Sequence, residues 1–399
     1  MGEREHRRAF SPAPLGGITL RNRVIKAATY EGMCPEGIPS PALTKHHRDL
    51  ADGGVGMTTV AYCAVSPDGR TFANQMHMHD ALVPHLAKLT ASVHAGGAAV
   101  SLQLGHCGAF SRNRELPRRR SLGPSFALNA FGLMEGLPFA HAMSEADIAT
   151  TVDDFAAAAR GAVASGFDAV ELHLGHGYLL SQFLCPAVNR RRDRYGGSLE
   201  NRLRFPLAVL RRVREEVGSR FPILAKTNLR DGFRGGLELE DAVGVAQALE
   251  ADGIDAIVLS GGFTSRTPFY LFRGEAPLAQ MIEVEKSRPQ RLALRLFGPH
   301  IIRSHPFQEM FFLEEARAVR GAVKAPLALI GGIVSRANIE QAMADGFDFV
   351  VMGRALINDP RLVGRIARGE TERSACVPCN QCVAEMDRPG GVRCVRNPG

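Results

Sequence analysis

Eight short apolar runs recur along this chain, and a helical pattern separates each from the next. The runs fall near residues 23–28, 55–61, 98–104, 167–172, 222–227, 254–260, 326–330 and 347–352. None alternates apolar with polar residues, which is the pattern of parallel strands covered on both faces. Helical stretches lie at about 42–53, 82–96, 144–165, 198–217, 238–252, 307–322, from 335, and 360–368. Ser144-Glu-Ala-Asp147 reads as a capping box opening the third of them. Eight βα units predict an α/β fold, a single (β/α)8 TIM barrel. A doubly wound sheet is the alternative, but no Gly-x-Gly-x-x-Gly follows the first strand.

Two stretches break the rhythm. Residues 263–305 carry Pro, Phe, Arg and Met without a clean period and read as a flap inserted after strand 6. Cys376, Cys379, Cys382 and Cys394 crowd the last 24 residues. The division expected is a barrel over 1–372 and a Cys-rich C-terminal tail over 373–399.

Composition narrows the class. The 399 residues are 45% apolar and 22% charged, ordinary for a globular protein. No apolar run approaches the roughly 18 residues that span a bilayer, so no membrane partner is expected. The first residues lack the apolar core of a secretion signal, so the expected location is cytoplasmic. Cys34, Cys63, Cys107 and Cys185 are scattered, as reduced thiols are. The net charge is +7, with much of the excess in residues 112–120 and 190–194. Without a reader motif, and with no Trp, no nucleic-acid partner is expected. Basic loops beside an active site suit an anionic cofactor or substrate, although a solvated surface is the plainer reading.

A TIM barrel carries its chemistry where strands run out into loops. The mouth is then lined by Ala28, Thr29 and Tyr30, by Tyr62, and by Gln103 and His106. His173, His176, Tyr178, Lys226 and Asn228 follow, then Ser260-Gly261-Gly262, Gly331-Gly332 and Gly353-Arg354. Two imidazoles that can hold an oxyanion, beside a phenol that can give a proton, make a chemical site. A His-x-x-His pair also suits a metal or the satisfaction of buried backbone groups, and Tyr178 also suits plain packing. Glycines at the last two strand ends let backbone N–H groups approach a phosphate, and Arg354 adds charge.

Several segments resemble one family. They are Ile18-Thr-Leu-Arg-Asn-Arg-Val24, Leu102-Gln-Leu-Gly-His106 and Leu122-Gly-Pro-Ser125. The most specific are His173-Leu-Gly-His-Gly-Tyr-Leu-Leu-Ser-Gln-Phe-Leu184 and Asn189-Arg-Arg-Arg-Asp-Arg-Tyr-Gly-Gly-Ser-Leu-Glu-Asn-Arg202. Together they resemble the old yellow enzyme family of FMN-dependent barrels, over nearly the whole chain. The resemblance implies an ene-reductase-like oxidoreductase in which NADPH or NADH reduces FMN. The flavin then passes hydride to the β-carbon of an electron-poor alkene such as an enone. It implies that His173 and His176 bind the carbonyl oxygen and that Tyr178 donates the proton. It places Gln103 on the flavin pyrimidine edge and Lys226 near N1 and the C2 carbonyl, where many relatives have Arg. Ala28 and Thr29 become backbone partners of the ring, and Gly332, Gly353 and Arg354 the phosphate cradle. Tyr30 and Tyr62 stand where many relatives carry a smaller residue near the flavin. Phe269, Phe272 and Arg273 are the flap residues expected to face the site. The run Arg118-Arg119-Arg120 would favour NADPH through its extra phosphate. A homo-oligomer is compatible with this reading.

The tail resembles the iron–sulfur loop of the dienoyl-CoA reductase branch, with departures. The second gap here is two residues rather than three, and that branch lacks the His-x-x-His pair. An iron–sulfur cluster, a structural zinc and a metal-free loop are the three readings for Cys376, Cys379, Cys382 and Cys394. For the whole protein, the alternatives are an FMN-linked demethylase or dehydrogenase of the same family, and a barrel aldolase with a Schiff base at Lys226. A scaffold with no catalytic role would leave the converging polar residues unexplained.

Overall fold

The computed structural model describes residues 2–116 and 120–397. Of the run at 118–120, Arg118 and Arg119 lie outside the described residues. The barrel strands are β1 (Val24–Tyr30), β2 (Met57–Ala64), β3 (Ala99–Gly105), β4 (Ala169–Leu174), β5 (Ile223–Asn228), β6 (Ala256–Ser260), β7 (Leu327–Ile330) and β8 (Phe349–Met352). They close in chain order, all parallel, with Val350 of β8 beside Val24 of β1. Helices return the chain between them, as the sequence predicts. Ser144 and Asp147 do form the reciprocal capping box at the head of Glu145–Ala164.

Both faces of each strand are buried, which is why the runs read as continuously apolar. Val24, Val100, Leu102, Val170, Leu172, Ile223 and Ile257 point outward into the layer beneath the helices. Ile25, Met57, Ala169, Leu224, Ala256, Ala328 and Phe349 point inward and fill the barrel's lower half. Ala13, Leu15 and Leu20, from a hairpin of Ala13–Leu15 with Ile18–Leu20, close it from below. The sequence reading did not anticipate this hairpin, because strands of three residues are too short to show a period. Gly17 seats it by donating to Arg220 O at 3.0 Å, and a Cβ there would lie 2.2 Å from that oxygen.

With the bottom plugged, the open end is the mouth, and the first two strands are irregular there. Ladder register shifts between Lys26 and Thr29 on β1, and between Val60 and Cys63 on β2. Bulges of this kind re-aim backbone and side chains beside sites. After β3 the chain makes a long excursion holding a small sheet of Ser121–Gly123, Ala127–Leu128 and Phe139–Ala142.

Residues 263–305 are not irregular throughout. They hold two helices, Leu278–Val284 and Arg288–Ile301, the second capped by Ser287, and a bridge between Gly274 and His305 pinches their base. Gln290 of this segment accepts from Arg112 at 2.8 Å and donates to Glu135 at 2.7 Å, tying it to the excursion after β3. Among the described residues no helix is long and apolar enough to cross a membrane.

Candidate functional site

Strand register decides which polar groups meet inside the mouth. Gln103 of β3 pairs with Glu171 of β4, and Lys226 of β5 pairs with His173 of β4. All four side chains are buried, and they share a face because alternate residues of a strand point the same way. Gln103 Nε2 donates to Glu171 Oε1 at 2.7 Å, and Lys226 Nζ lies 2.8 Å from the same oxygen. Glu171 was not among the residues singled out from sequence.

Above this layer the two imidazoles meet edge to face, 5.0 Å between centroids. His176 is set by its backbone: it sits at φ 59°, its N–H donates to Asn228 Oδ1 at 3.0 Å, and its carbonyl accepts from Thr264 at 2.8 Å. Asn228 is fixed in turn by Asp231 at 2.7 Å and Gly262 O at 2.8 Å. His176 Nε2 and the Ser260 hydroxyl are 2.7 Å apart. Burial holds the His176 imidazole down to about 3, with Lys226 adding to the effect, and His173 is likewise held well below its usual value. Both rings are therefore neutral across ordinary working pH. His173 Nδ1 is buried with no hydrogen-bond partner.

Tyr178 lies over His173, with ring centroids 4.2 Å apart and planes at 30°. Tyr62 and Phe110 meet its edges at 5.0 and 5.1 Å. Burial raises its phenol above the ordinary value, so it remains a protonated donor. Tyr62 is held by its own hydroxyl, which donates to Gly69 O at 3.0 Å and lies 2.9 Å from Thr71 Oγ1. Ala28 and Tyr178 both pack against the β2 cluster of Ala61, Tyr62 and Ala64, which brings the ends of β1, β2 and β4 together. Thr29 accepts from Lys26 Nζ at 3.0 Å and donates to Glu31 at 2.7 Å, while Lys26 and Glu31 form a buried ion pair. That network pins the β1 bulge, and the shift leaves Ala27 and Ala28 without ladder partners on β2. Tyr30 packs against Phe72 at 5.6 Å. His106 turns inward on its own loop, its Nδ1 accepting from Gly108 N at 2.9 Å.

The far side of the mouth is glycine-rich. Gly331 and Gly332 take φ of 108° and 73°, and a Cβ on Gly332 would meet Gln308 O at 2.8 Å. A Cβ on Gly353 would meet only Ala27, at 3.8 Å, so the space before it is open. The Arg354 guanidinium does not fill that space: it bonds Asn380 and donates to Arg273 O at 2.9 Å. It faces a cavity lined by Cys376, Cys379, Cys382 and Cys394. Among the described residues no three His, Cys, Asp or Glu converge on a single ion. Burial pushes the Cys382 thiol up to about 12 and raises Cys376, and Arg354 opposes both shifts. Of the flap residues, Phe269 is buried, Phe272 lies 6.1 Å from it, and Arg273 sits over the rings of Phe311 and Tyr270 at 4.7 and 5.2 Å.

These residues fit FMN. Gln103 and Lys226 offer an amide and a cation to a ring edge, the register shift at Ala27 and Ala28 marks the end of β1 at the same mouth, and Gly353 leaves room for a phosphate. The NADH:flavin oxidoreductase / NADH oxidase family model matches residues 8–262. A 4,4'-dithiodibutanoate disulfide reductase from Rhodococcus erythropolis is 44% identical over 97% of this chain and 94% of its own length. A metal reductase from Desulforamulus reducens is 31% identical over 97% of this chain, which spans only 53% of that longer protein. In fold, a 2-naphthoyl-CoA reductase superposes with TM-score 0.81 at 23% identity, over 98% of this chain and 57% of its own. The chain belongs to the NADH:flavin oxidoreductase / NADH oxidase family, the old yellow enzyme-like oxidoreductases that use FMN and NAD(P)H.

Proposed function

We propose that this enzyme reduces small electron-poor acceptors at the expense of NADH or NADPH, with an activated alkene such as an enone as the acceptor the geometry suits best. Bound FMN supplies two-electron chemistry, taking hydride from the nicotinamide and giving it to the second substrate. The observation that carries the reading is the His173 ring nitrogen, buried and without a partner beside His176 and beneath Tyr178. An orphaned buried polar atom costs about 1–3 kcal/mol, and it is the sort of feature a substrate oxygen relieves. In this reading the two imidazoles hold the carbonyl oxygen as it gains charge. If the Ser260 hydroxyl donates to His176 Nε2, the proton of that neutral ring sits on Nδ1, free to donate. Tyr178 then protonates the α-carbon.

A second reading has a specific support. The relative that is 44% identical over almost its full length is a disulfide reductase. A small dialkyl disulfide would take the same two electrons as a hydride originating in NAD(P)H, with one further proton drawn from solvent, and its S–S bond would break to leave two thiols. The oxidising direction, demethylation or dehydrogenation, is the remaining alternative within the family. Membership of the family leaves the Lys226 aldolase without support. The four cysteines line one cavity, but among the described residues no three of them gather on one ion. A lone zinc, whose tetrahedral bonds of about 2.3 Å draw its sulfurs together, therefore has the least support, and an iron–sulfur cluster and a metal-free loop are the readings left for the tail.

The test is anaerobic. NADPH or NADH should bleach the flavin's visible band, and an enone or a dialkyl disulfide should restore it. A flavin that stays oxidised with both nucleotides defeats the reductase reading. Recovery with the disulfide alone replaces the alkene by the disulfide as substrate.

A further inference from the structure

Gln103 and Lys226 do not approach the mouth independently. Both bond one oxygen of Glu171, at 2.7 and 2.8 Å, and the three side chains are no more than 4% exposed. A carboxylate buried inside a barrel is costly unless its partners hold it well, and removing either partner leaves an uncompensated group. We propose that Glu171 is a positioning residue: it orients the Gln103 amide and screens the charge of Lys226, and so lowers the reduction potential of FMN bound over them. The inference rests on the flavin reading of this site.

Two steps of chemistry support it. A carboxylate only accepts hydrogen bonds, so the Gln103 nitrogen must face Glu171. Its Oε1 is thereby turned away from the carboxylate, ready to accept from a ring N–H such as a flavin pyrimidine edge presents. Lys226 has three N–H donors, of which one is directed at Glu171, leaving others for a ring carbonyl or nitrogen. The second step is electrostatic. A reduced flavin carries negative charge that a nearby cation stabilises, and a carboxylate 2.8 Å from that cation cancels part of its field. Glu171 therefore fixes the shape of the polar edge while limiting how strongly the edge favours reduced flavin. That balance suits an enzyme that must hand its electrons on.

The test compares bound-flavin midpoint potentials in the holoenzyme, measured by equilibrium titration against reference dyes. The proteins are wild type, Glu171→Gln, Lys226→Met and the double variant. Glu171→Gln keeps the shape and removes the charge. It should move the oxidised/reduced equilibrium at least tenfold toward reduced flavin, about 30 mV for two electrons. With Lys226 already replaced, the same change should have little effect. An unchanged potential in Glu171→Gln, or an equal shift with and without Lys226, overturns the inference alone. If Glu171→Gln purifies without FMN, Glu171→Asp is titrated with FMN by fluorescence quenching. Binding by the Asp variant and not the Gln variant supports a role for the charge, whereas loss in both reduces Glu171 to a structural part and overturns the inference. A wild-type protein that takes up no FMN overturns the inference and the cofactor reading together.

Discussion

Replacing Tyr178 by Phe isolates one proton. The ring contacts at 4.2, 5.0 and 5.1 Å with His173, Tyr62 and Phe110 do not need the hydroxyl, so the variant should fold and its stability should change by about 1 kcal/mol or less. On the function proposed above, what is lost is a general acid, an effect worth about 10²–10⁴-fold in rate. The loss should appear in one half of the cycle only. Reduction of the enzyme by NADPH moves hydride and needs no acid from Tyr178, so its rate should hold within a few-fold of wild type. Reoxidation by an enone needs a proton at the α-carbon and should slow by the full factor. Stopped-flow measurement of the flavin band under anaerobic conditions separates the two. The raised phenol adds a pH signature: burial keeps it protonated beyond its ordinary value near 10, so wild-type reoxidation should show no loss from tyrosine ionisation below about pH 10. Equal slowing of both halves, or none of either, would refute the proton-donor assignment.

Other expectations follow from single contacts. His173→Ala should weaken binding of phenolic ligands over the flavin, and unchanged phenol charge-transfer bands would count against its role. Gly353→Ala puts a methyl into the open space before Ala27, so FMN affinity should fall; at ψ −98° the backbone is outside the regular regions, so a smaller loss of apoprotein Tm should accompany it. Arg202 donates to Leu184 O and to Asp241 Oδ1 at 3.0 Å from a side chain 6% exposed. Arg202→Met should cost about 1–3 kcal/mol in chemical denaturation, since it leaves the buried Leu184 carbonyl without its donor while Asp241, 25% exposed, can turn to water. His46 and His176 are held near 3 by burial against 6.5 in the unfolded chain, so the unfolded state binds protons that the folded state refuses. Their contribution should be complete above about pH 6.5 and lost as pH falls from there toward 3; a Tm independent of pH across that window would contradict it.

The barrel was legible because its signal is repeated. Eight apolar runs set the strand count, and helix caps such as Ser144 with Asp147 set the phase between them. The plug beneath it was not, because Ala13–Leu15 and Ile18–Leu20 are each too short to carry a pattern. The imidazole pair and the phenol stood out because their residue types are uncommon at a strand end. Glu171 hid inside the strand, although a parity argument reaches it: it lies two residues before His173, so both point into the barrel. Lys26 and Glu31 hid differently, since nothing in Lys26-Ala-Ala-Thr-Tyr-Glu31 reveals a bulge that folds the glutamate back onto the lysine.

The two stretches that broke the sequence rhythm have one structural explanation. Glu275 N donates to Pro378 O at 3.0 Å, and Asn380 Nδ2 donates to Glu275 O at 2.8 Å. The base of the 263–305 segment and the cysteine loop are thus built as a single layer. A Cβ on Gly274 would lie 2.1 Å from Pro378 O, so that layer is closely packed at its centre. Arg354 is its third tie, bonding Arg273 O from one side and Asn380 from the other. Gly353, one residue earlier, opens toward Ala27 and the barrel mouth. Adjacent residues at the end of β8 therefore face apart, Gly353 toward open space beside Ala27 and Arg354 toward the cavity lined by the four cysteines. A sequence shows Gly-Arg there as one motif. The fold sets the two apart: the glycine lies before Ala27, and the arginine carries its charge toward Cys376 and Cys382, where it opposes the burial that raises their thiols.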